Sequence, residues 1–293
     1  MKKMRIGVFG SPCKEEKLPE IEGLFAKLTA LGAEVYVQSS FMEWLTQSFD
    51  FQPEIAGRIA DDSFDLDIAL SVGGDGTFLR TALEVNRKKI PILGINIGRL
   101  GFLADVNSAQ IGETLEELFR GAYKVEERSL LQLHTDTGAF NGYNYALNEV
   151  AVSKWDTPYM ITIHTYLNDD YLTSYKADGL LVATPTGSTA YSMSVNGPIL
   201  LPQNRNIILS PVAPHSLNVR PLVIPDDFII TLHVESPTKS FLVALDGRYE
   251  DFSVDTKLII SRSKNVTYVV KRLNQAFYQT LREKLMWGKD VRS

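Results

Sequence analysis

Short apolar runs and helical stretches alternate through the first part of the chain. Residues 6–9 read as a buried strand. Residues 18–31 read as a helix, with Ile21, Leu24, Phe25 and Leu28 at the three-and-four spacing that gathers them on one face. Gly32 stands where a helix C-terminal cap belongs. Residues 35–37 and 68–72 supply a second and a third strand, a glycine turn and a helix over 77–87 follow, and residues 90–95 supply a fourth strand. Strands separated by helices imply parallel βαβ units and hence an open α/β sheet. Ligands of such sheets bind beyond the carboxyl ends of the strands, which is where the glycine turn falls.

One more helix is predicted over residues 108–123, with Leu115, Leu118 and Phe119 on one face. After Arg128 the rhythm shortens. Apolar and β-branched runs recur at residues 130–133, 143–152, 160–167, 180–183, 207–209, 222–224, 228–234, 241–245, 258–260 and 266–270, punctuated by Gly, Asn, Asp and Pro. That pattern belongs to an all-β layer or sandwich. Residues 275–287 return to helical spacing through Phe277, Leu281 and Leu285. A lone helix after a β domain must bury its apolar face, and the α/β half offers the place. The expected fold class is therefore α/β plus all-β. An N-terminal open α/β sheet domain (residues 1–127 plus 271–293) is followed by a C-terminal β-sandwich-like domain (residues 128–270), and the terminal helix returns to the N-terminal domain.

Composition adds bounds to this picture. A length of 293 residues suits two domains, and 44% hydrophobic with 22% charged residues is that of an ordinary globular protein with a sizeable core. A net charge of −5 argues against a surface that grips nucleic acid as a whole. Cys13 is the only cysteine, which excludes a disulfide framework and a cysteine-based metal site and fits a reducing compartment. The apolar run at residues 6–9 is too short for a signal-peptide core, and no segment approaches the length that spans a bilayer. A cytoplasmic protein without nucleic-acid or membrane partners is expected.

Candidate chemistry begins at Ser71-Val72-Gly73-Gly74-Asp75-Gly76-Thr77, between a strand and a helix. Glycines let a backbone approach a phosphate, and a helix N-terminus offers unpaired N–H groups and the positive end of a dipole. Phosphate binding alone explains the aspartate poorly, since it repels anions. Asp75 makes sense facing a hydroxyl to be phosphorylated or a metal ion on the phosphates; the plain alternative is a tight turn with Asp75 as N-cap. The chain has neither a G-x-x-x-x-G-K-[ST] loop nor a well-formed G-x-G-x-x-G fingerprint. Gly73-Gly74-Asp75-Gly76-Thr77 resembles the signature shared by NAD kinases, diacylglycerol and sphingosine kinases and, more distantly, phosphofructokinases. It marks a phosphoryl-transfer superfamily and no single substrate.

Further segments narrow the resemblance to the NAD kinase family, bacterial type. Asp178-Gly179-Leu180-Leu181-Val182-Ala183-Thr184-Pro185-Thr186-Gly187-Ser188-Thr189-Ala190-Tyr191-Ser192 resembles that family's long signature. Physically it is a buried strand, a hydroxyl-dense Pro-Gly turn with Thr186, Ser188 and Thr189 at a helix entrance, and an aromatic ring able to stack on a base. Leu147-Asn148-Glu149-Val150 resembles the family's Asn-Glu pair: an amide pairs with an adenine edge, and a carboxylate accepts from ribose hydroxyls. As a bare dipeptide it reads equally as a turn or surface pair. The blocks at residues 94–105 and 210–221, the Asp246-Gly247 turn and the ending at residues 281–288 are also similar to family segments, although Ile97 and Arg99 replace a frequent Thr and His.

The resemblance implies ATP and NAD as partners and a magnesium ion carried on ATP, with no metal held by side chains. Asp75 is implied as the catalytic residue. Gly76, Phe102, Asn148, Glu149, Asp178, Thr189, Ala190, Tyr191, Ser194, Ala213 and Asp246 are implied at NAD, with Asn148 and Thr189 on adenine and Glu149 on the ribose. Gly73, Gly74, Gly76, Thr77, Arg99 and Lys176 are assigned to phosphate, though for Lys176 a solvated lysine is the plainer reading. A homo-oligomer, dimer or tetramer through the β domain, is implied as well. Two other classes compete: a lipid kinase sharing the glycine turn, and a non-catalytic NAD(P) sensor on the same scaffold. His134, His164, His215 and His233 do not cluster and read as structural or cross-strand residues.

Overall fold

The computed structural model describes residues 3–98, 101–136, 138 and 140–288. The chain forms two compact units, Met1–Glu127 with Tyr268–Ser293, and Arg128–Thr267. The first contains β1 (Arg5–Gly10), α1 (Leu18–Ala30), β2 (Glu34–Gln38), α2 (Ser39–Phe49), β3 (Gly57–Ile59), β4 (Ile68–Gly73), α3 (Asp75–Val85), β5 (Ile92–Asn96), β6 (Val106–Asn107) and α4 (Ile111–Phe119). Its strands run parallel in the order β3-β2-β1-β4-β5, and β6 lies beside the end of β5. The chain thus builds outward from β1 to β3, then returns past β1 to β4 and β5. The direction reverses between β1 and β4, and at such a switch the loops leaving two neighbouring strands part to leave a crevice.

Helices explain the continuous apolar runs. Residues 68–72 of β4 are all buried, as a parallel strand covered on both faces requires. Ile21, Leu24, Phe25 and Leu28 of α1 join Leu115 and Leu118 of α4 and Val8 and Leu70 of the sheet in one core cluster. Two elements escaped the sequence pattern: α2, which buries Phe41, Met42 and Leu45, and the three-residue β3. The predicted helix over 108–123 is shorter than expected. Gly121 adopts a left-handed φ of 71°, which ends it and frees Tyr123 to start a strand.

The second unit follows through β7 (Tyr123–His134), β8 (Tyr145–Ala146), β9 (Glu149–Ser153), β10 (Ile161–Leu167), β11 (Asp170–Ala177), β12 (Gly179–Ala183), the single turn α5 (Tyr191–Ser194), β13 (Asn206–Val212), β14 (Leu222–Pro225), β15 (Ile230–Glu235), β16 (Ser240–Leu245), β17 (Arg248–Ser253) and β18 (Leu258–Arg272). Six antiparallel strands run in the order β14-β13-β12-β9-β16-β17. A second antiparallel set runs β11-β10-β15-β18. Alternate residues of both meet in one core: Val150, Val152, Leu180, Val182, Phe241 and Val243 from the first, Ile161, Ile163, Ile230, Leu232, Leu258 and Ile260 from the second. This is the expected sandwich. Corrections within it are local. The run 143–152 is broken between β8 and β9, the runs 258–260 and 266–270 are one strand, and the polar strands β11 and β17, at the edges of their sheets, carry no apolar signal.

The distal part of β18 pairs with β5 through Val269 and Ile92, and α6 (Phe277–Leu285) belongs to the first unit. Lys271 forms a buried ion pair with Asp105 at 2.5 Å, and Arg272 meets Glu117 at 2.7 Å and Glu113 at 2.8 Å. Removing one partner of the buried pair would strand the other charge. Among the described residues no helix is long and apolar enough to cross a membrane.

Phe241 is fully buried where β16 meets the sandwich core, and its ring stacks near Phe252 at 6.0 Å. Phe241→Ala is expected to destabilise the protein by about 3–5 kcal/mol. Urea unfolding checks this, and a loss below about 1 kcal/mol would contradict a close-packed sandwich.

Candidate active site

In the first unit the site is built on the β4–α3 turn. Thr77 and Phe78 donate backbone N–H groups to the Gly74 carbonyl at 3.0 Å, which winds α3 directly out of the turn. A crevice of about 500 Å³ opens at the switch between β1 and β4, lined by Ser11, Cys13, Lys14, Gly73, Gly74 and Thr77 among others. The Ser11 and Thr77 hydroxyls meet at 2.7 Å, and Arg80 donates to Ser11. Burial pushes the Cys13 thiol up from its ordinary value, so it lines the crevice as a neutral group. A side chain added at Gly73 would strike Thr77, whereas at Gly74 and Gly76 a methyl would meet nothing. No packing demand explains the last two glycines, and their open space leaves the backbone of the turn accessible.

Asp75 sits between these glycines and reaches elsewhere. Its Oδ2 accepts the N–H of Phe102 at 2.9 Å, and its Oδ1 accepts those of Leu103 and Ala104, both at 3.0 Å. A Cβ on Gly101 would lie 1.9 Å from Oδ1, so the loop admits only glycine there. Asp75 is thus more than an N-cap: it fixes the loop that follows β5. Lys284 of α6 places its ammonium 3.7 Å from Oδ2 and 4.4 Å from the centre of the Phe102 ring. Phe102 is 9% exposed, with Phe277 against it at 6.1 Å, so α6 covers the ring that was expected to wall a nucleotide pocket. Arg99 lies outside the described residues.

In the second unit a mirror of this device appears. Asp246 and Gly247, with φ of 49° and 84°, form the tight turn between β16 and β17. The Asp246 carboxylate accepts from Leu147 at 2.6 Å, Asn148 at 2.8 Å and Glu149 at 3.1 Å. This is what breaks the run 143–152, and it makes Asp246 the residue that shapes the Asn-Glu segment. Thr184 donates to the Leu147 carbonyl at 2.6 Å and accepts from Gly187 at 3.0 Å, and Gly187 packs so closely on Asn148 that a Cβ would lie 2.1 Å from its carbonyl oxygen. Several hydroxyls expected to face a ligand donate inside the turn, which leaves them lone pairs to accept with. Ser188 bonds Pro185 and Leu200, Thr189 bonds the Thr186 carbonyl at 3.3 Å, and Ser194 bonds Tyr191 at 2.8 Å. The Tyr191 ring stays open, 46% exposed, and Ala190 beside it is half-buried.

Glu149 is the electrostatic centre of this half. Burial, then the neighbouring Asp246 charge, push its carboxyl up to about 8, against a hydrogen bond from the Tyr191 backbone N–H. Burial raises Asp246 as well, but three N–H donors and Arg248 oppose that, so the proton of the pair resides on Glu149. At neutral pH Glu149 is an acid that both donates and accepts. Its Oε2 and the Thr186 Oγ1 are buried oxygens without a partner. Unsatisfied buried oxygens are costly, and a bound hydroxyl relieves that cost.

Other expected ligands stand apart. Asp178 pairs with Lys154 at 2.8 Å at the opposite end of β12 from Thr184, and the extended strand between them holds the two about 20 Å apart. Exposed Lys176 and Ala213, the latter with a φ of 44°, lie at the Asp178 end. His164 bonds Ser174 across strands at 2.7 Å and stands opposite His233, a cross-strand role. Lys284 had no place in the sequence reading; only its helical spacing on the terminal segment pointed to it.

A glycine turn facing a crevice of about 500 Å³, with a carboxylate fixed beside that turn, suits a phosphotransferase that works on nucleotides. Sequence models of the family agree: the ATP-NAD kinase N-terminal domain matches residues 6–123 and its C-terminal domain residues 147–272. The chain belongs to the ATP-NAD kinase family. It is 49% identical over 289 residues to an NAD kinase of Bacteroides fragilis, covering 99% of this chain and 100% of the other. It is 46% identical to an NAD kinase of Porphyromonas gingivalis, covering 98% and 99%. The fold is shared with a yeast NADH kinase complexed with NADH at a TM-score of 0.87 and 23% identity, covering 99% of this chain and 89% of that one. An NAD kinase from Archaeoglobus fulgidus in complex with ATP follows at 0.76 and 25%, covering 97% and 99%.

Glu149 yields a test. Unfolded, its carboxyl titrates near 4.5; folded, near 8. Between those values the unfolded chain has released a proton that the folded chain keeps, so this group removes stability as pH rises through that window and changes nothing further above it. Glu149→Gln lacks the proton. Its stability relative to the unsubstituted protein is expected to rise steadily from pH 5 to 8 in urea titrations; a pH-independent difference would mean that the carboxyl is not held neutral.

Proposed function

We propose that the chain transfers the γ-phosphoryl group of ATP to the adenosine ribose 2′-hydroxyl of NAD, giving NADP and ADP. Family membership supports this reading, and one geometric fact carries it: a single turn presents glycines and Thr77 to a crevice and holds the Asp75 carboxylate at its other side. The triphosphate occupies the crevice, where Gly74 and Gly76 let it approach the α3 N-terminus. Asp75 receives the hydroxyl and takes its proton late in transfer. A carboxylate is a weak base for an alcohol, and phosphoryl transfer depends mainly on positioning and charge neutralisation.

For NAD we assign the end of β9 and the turn after β12. Asn148 reads adenine, the neutral Glu149 exchanges hydrogen bonds with the ribose, and Tyr191 stacks on the base. Asp178, Lys176 and Ala213 stand at the far end of β12, so we assign them no contact with that ribose. Among the described residues no three His, Cys, Asp or Glu side chains are grouped to hold a metal ion. In the proposal the Mg²⁺ is carried on the ATP phosphates, where it would supply charge neutralisation. A lone cysteine and freely diffusing nucleotide substrates support the cytoplasm as compartment. A homo-oligomer joined through the β unit is supported by Tyr171 and Ile229 there, 60% and 50% exposed.

The test is NADP formation from NAD, ATP and Mg²⁺ by the purified protein, read with an NADP-specific dehydrogenase. Asp75→Asn is expected to lower turnover by about a thousandfold or more while NAD still binds. Its amide turns one donor toward another at the 102–104 loop, so a stability loss of about 1–3 kcal/mol is expected beside it. Near-normal turnover would remove Asp75 from the chemistry.

A further inference from the structure

The carboxylate of Asp75 has unequal oxygens. Oδ1 accepts two backbone N–H groups and Oδ2 only one, so the free accepting capacity lies on Oδ2. The Lys284 ammonium stands at that oxygen, 3.7 Å away, and among the described residues it is the only cation in an ion pair with Asp75. It also rests 4.4 Å from the centre of the Phe102 ring, on the residue whose N–H holds Oδ2. A surface ion pair as exposed as this one, 31% for each side chain, contributes little to stability, so its place needs another reason.

The approach to this point is built with care. Gln275 donates its side-chain N–H to the Asp105 carbonyl at 3.1 Å, and Lys271 meets the Asp105 carboxylate. Gln279 caps the start of α6 by accepting the Ala276 N–H at 2.9 Å, Thr280 is buried, and Phe277 packs toward Phe102. The terminal segment is thereby fixed at its root to the residues immediately after the 102–104 loop. Lys284 lies two turns further along the same helix.

We propose that Lys284 is a positioning residue for the transfer: its ammonium holds Oδ2 of Asp75 toward the acceptor hydroxyl and offsets the negative charge that gathers where carboxylate, hydroxyl and γ-phosphoryl group meet. The inference rests on the kinase reading above and deepens it. In the step, the hydroxyl oxygen bonds the γ-phosphorus, the bond from that phosphorus to the bridging oxygen breaks, and ADP leaves with its electron pair. The hydroxyl proton passes to Oδ2. Lys284 takes no part in the bond changes and acts only through its charge.

Steady-state NADP formation by the full chain tests this with Lys284→Met, Lys284→Arg and, as a control on the same helix, Arg282→Met, whose partner is the exposed Tyr278 ring. Lys284→Met is expected to lower kcat by about 10- to 100-fold, with KM for NAD within twofold and an unchanged melting temperature. Lys284→Arg should recover most of the loss, and Arg282→Met should match the unsubstituted enzyme. A Lys284→Met kcat within twofold of normal overturns the proposal. So does a fall shared equally by all three variants together with their melting temperatures, which would make α6 a structural support. If the unsubstituted protein forms no NADP, the kinase reading falls and this inference with it; an active parent with indifferent variants sinks the inference alone.

Discussion

In each unit one carboxylate gathers three consecutive backbone N–H groups and fixes the loop around it. Asp75 takes those of residues 102, 103 and 104; Asp246 takes those of 147, 148 and 149. Three successive N–H groups converge only when the backbone curls away from strand or helix, and such a curl needs an anion to be stable. The loops carrying Phe102 and Asn148 therefore owe their shapes to side chains distant in sequence. Charge-assisted hydrogen bonds are about twice as strong as neutral ones, which suits them to hold irregular backbone in register.

The two anchors then diverge in chemistry. Asp75 keeps a free lone pair and a cation beside it, a setting for a group that meets a reacting hydroxyl. Asp246 has its charge enclosed, and it acts on its neighbour: Glu149, deprived of water and facing that charge, holds a proton near neutrality. Two carboxylates close together are commonly separated into one ionised and one neutral form, and hydrogen-bond donors decide which is which. Here the three N–H groups settle the choice in favour of an ionised Asp246. The Asn148-Glu149 segment is consequently able to give a hydrogen bond through its acid as well as receive one, which a plain carboxylate is not.

Much of the architecture was legible in the chain. Residues 68–72 and the helix face Ile21, Leu24, Phe25 and Leu28 announce a covered parallel sheet by hydrophobicity alone, and the short period after Arg128 announces the sandwich. What was hidden is polar or distant. Strands β11 and β17 lie at sheet edges, where solvent permits Asp, Glu, Lys and Arg, so no apolar period marks them. The Asp246 contact with residues 147–149 spans nearly a hundred positions, and only an Asp-Gly dipeptide hinted at it. The separation of Asp178 from Thr184 was readable, since five residues of extended strand lie between them. A motif is read along a line, whereas a strand carries its two ends apart, so the residues of the long motif stand at two separate places. Glu149's proton and the placing of Lys284 follow from packing, which no local pattern encodes.

The first unit is discontinuous, and β18 and α6 complete it only after the whole sandwich has been specified in the chain. On the ribosome the glycine turn and Asp75 emerge early, with β5 still lacking the strand that pairs at Ile92 and with no ammonium beside the carboxylate. Nascent chains thus pass through a long interval in which the unit that carries the glycine turn is present and unfinished. Completion of that unit waits on β18 and α6, so Asp75 gains its ammonium neighbour only after every strand of the intervening sandwich has been made.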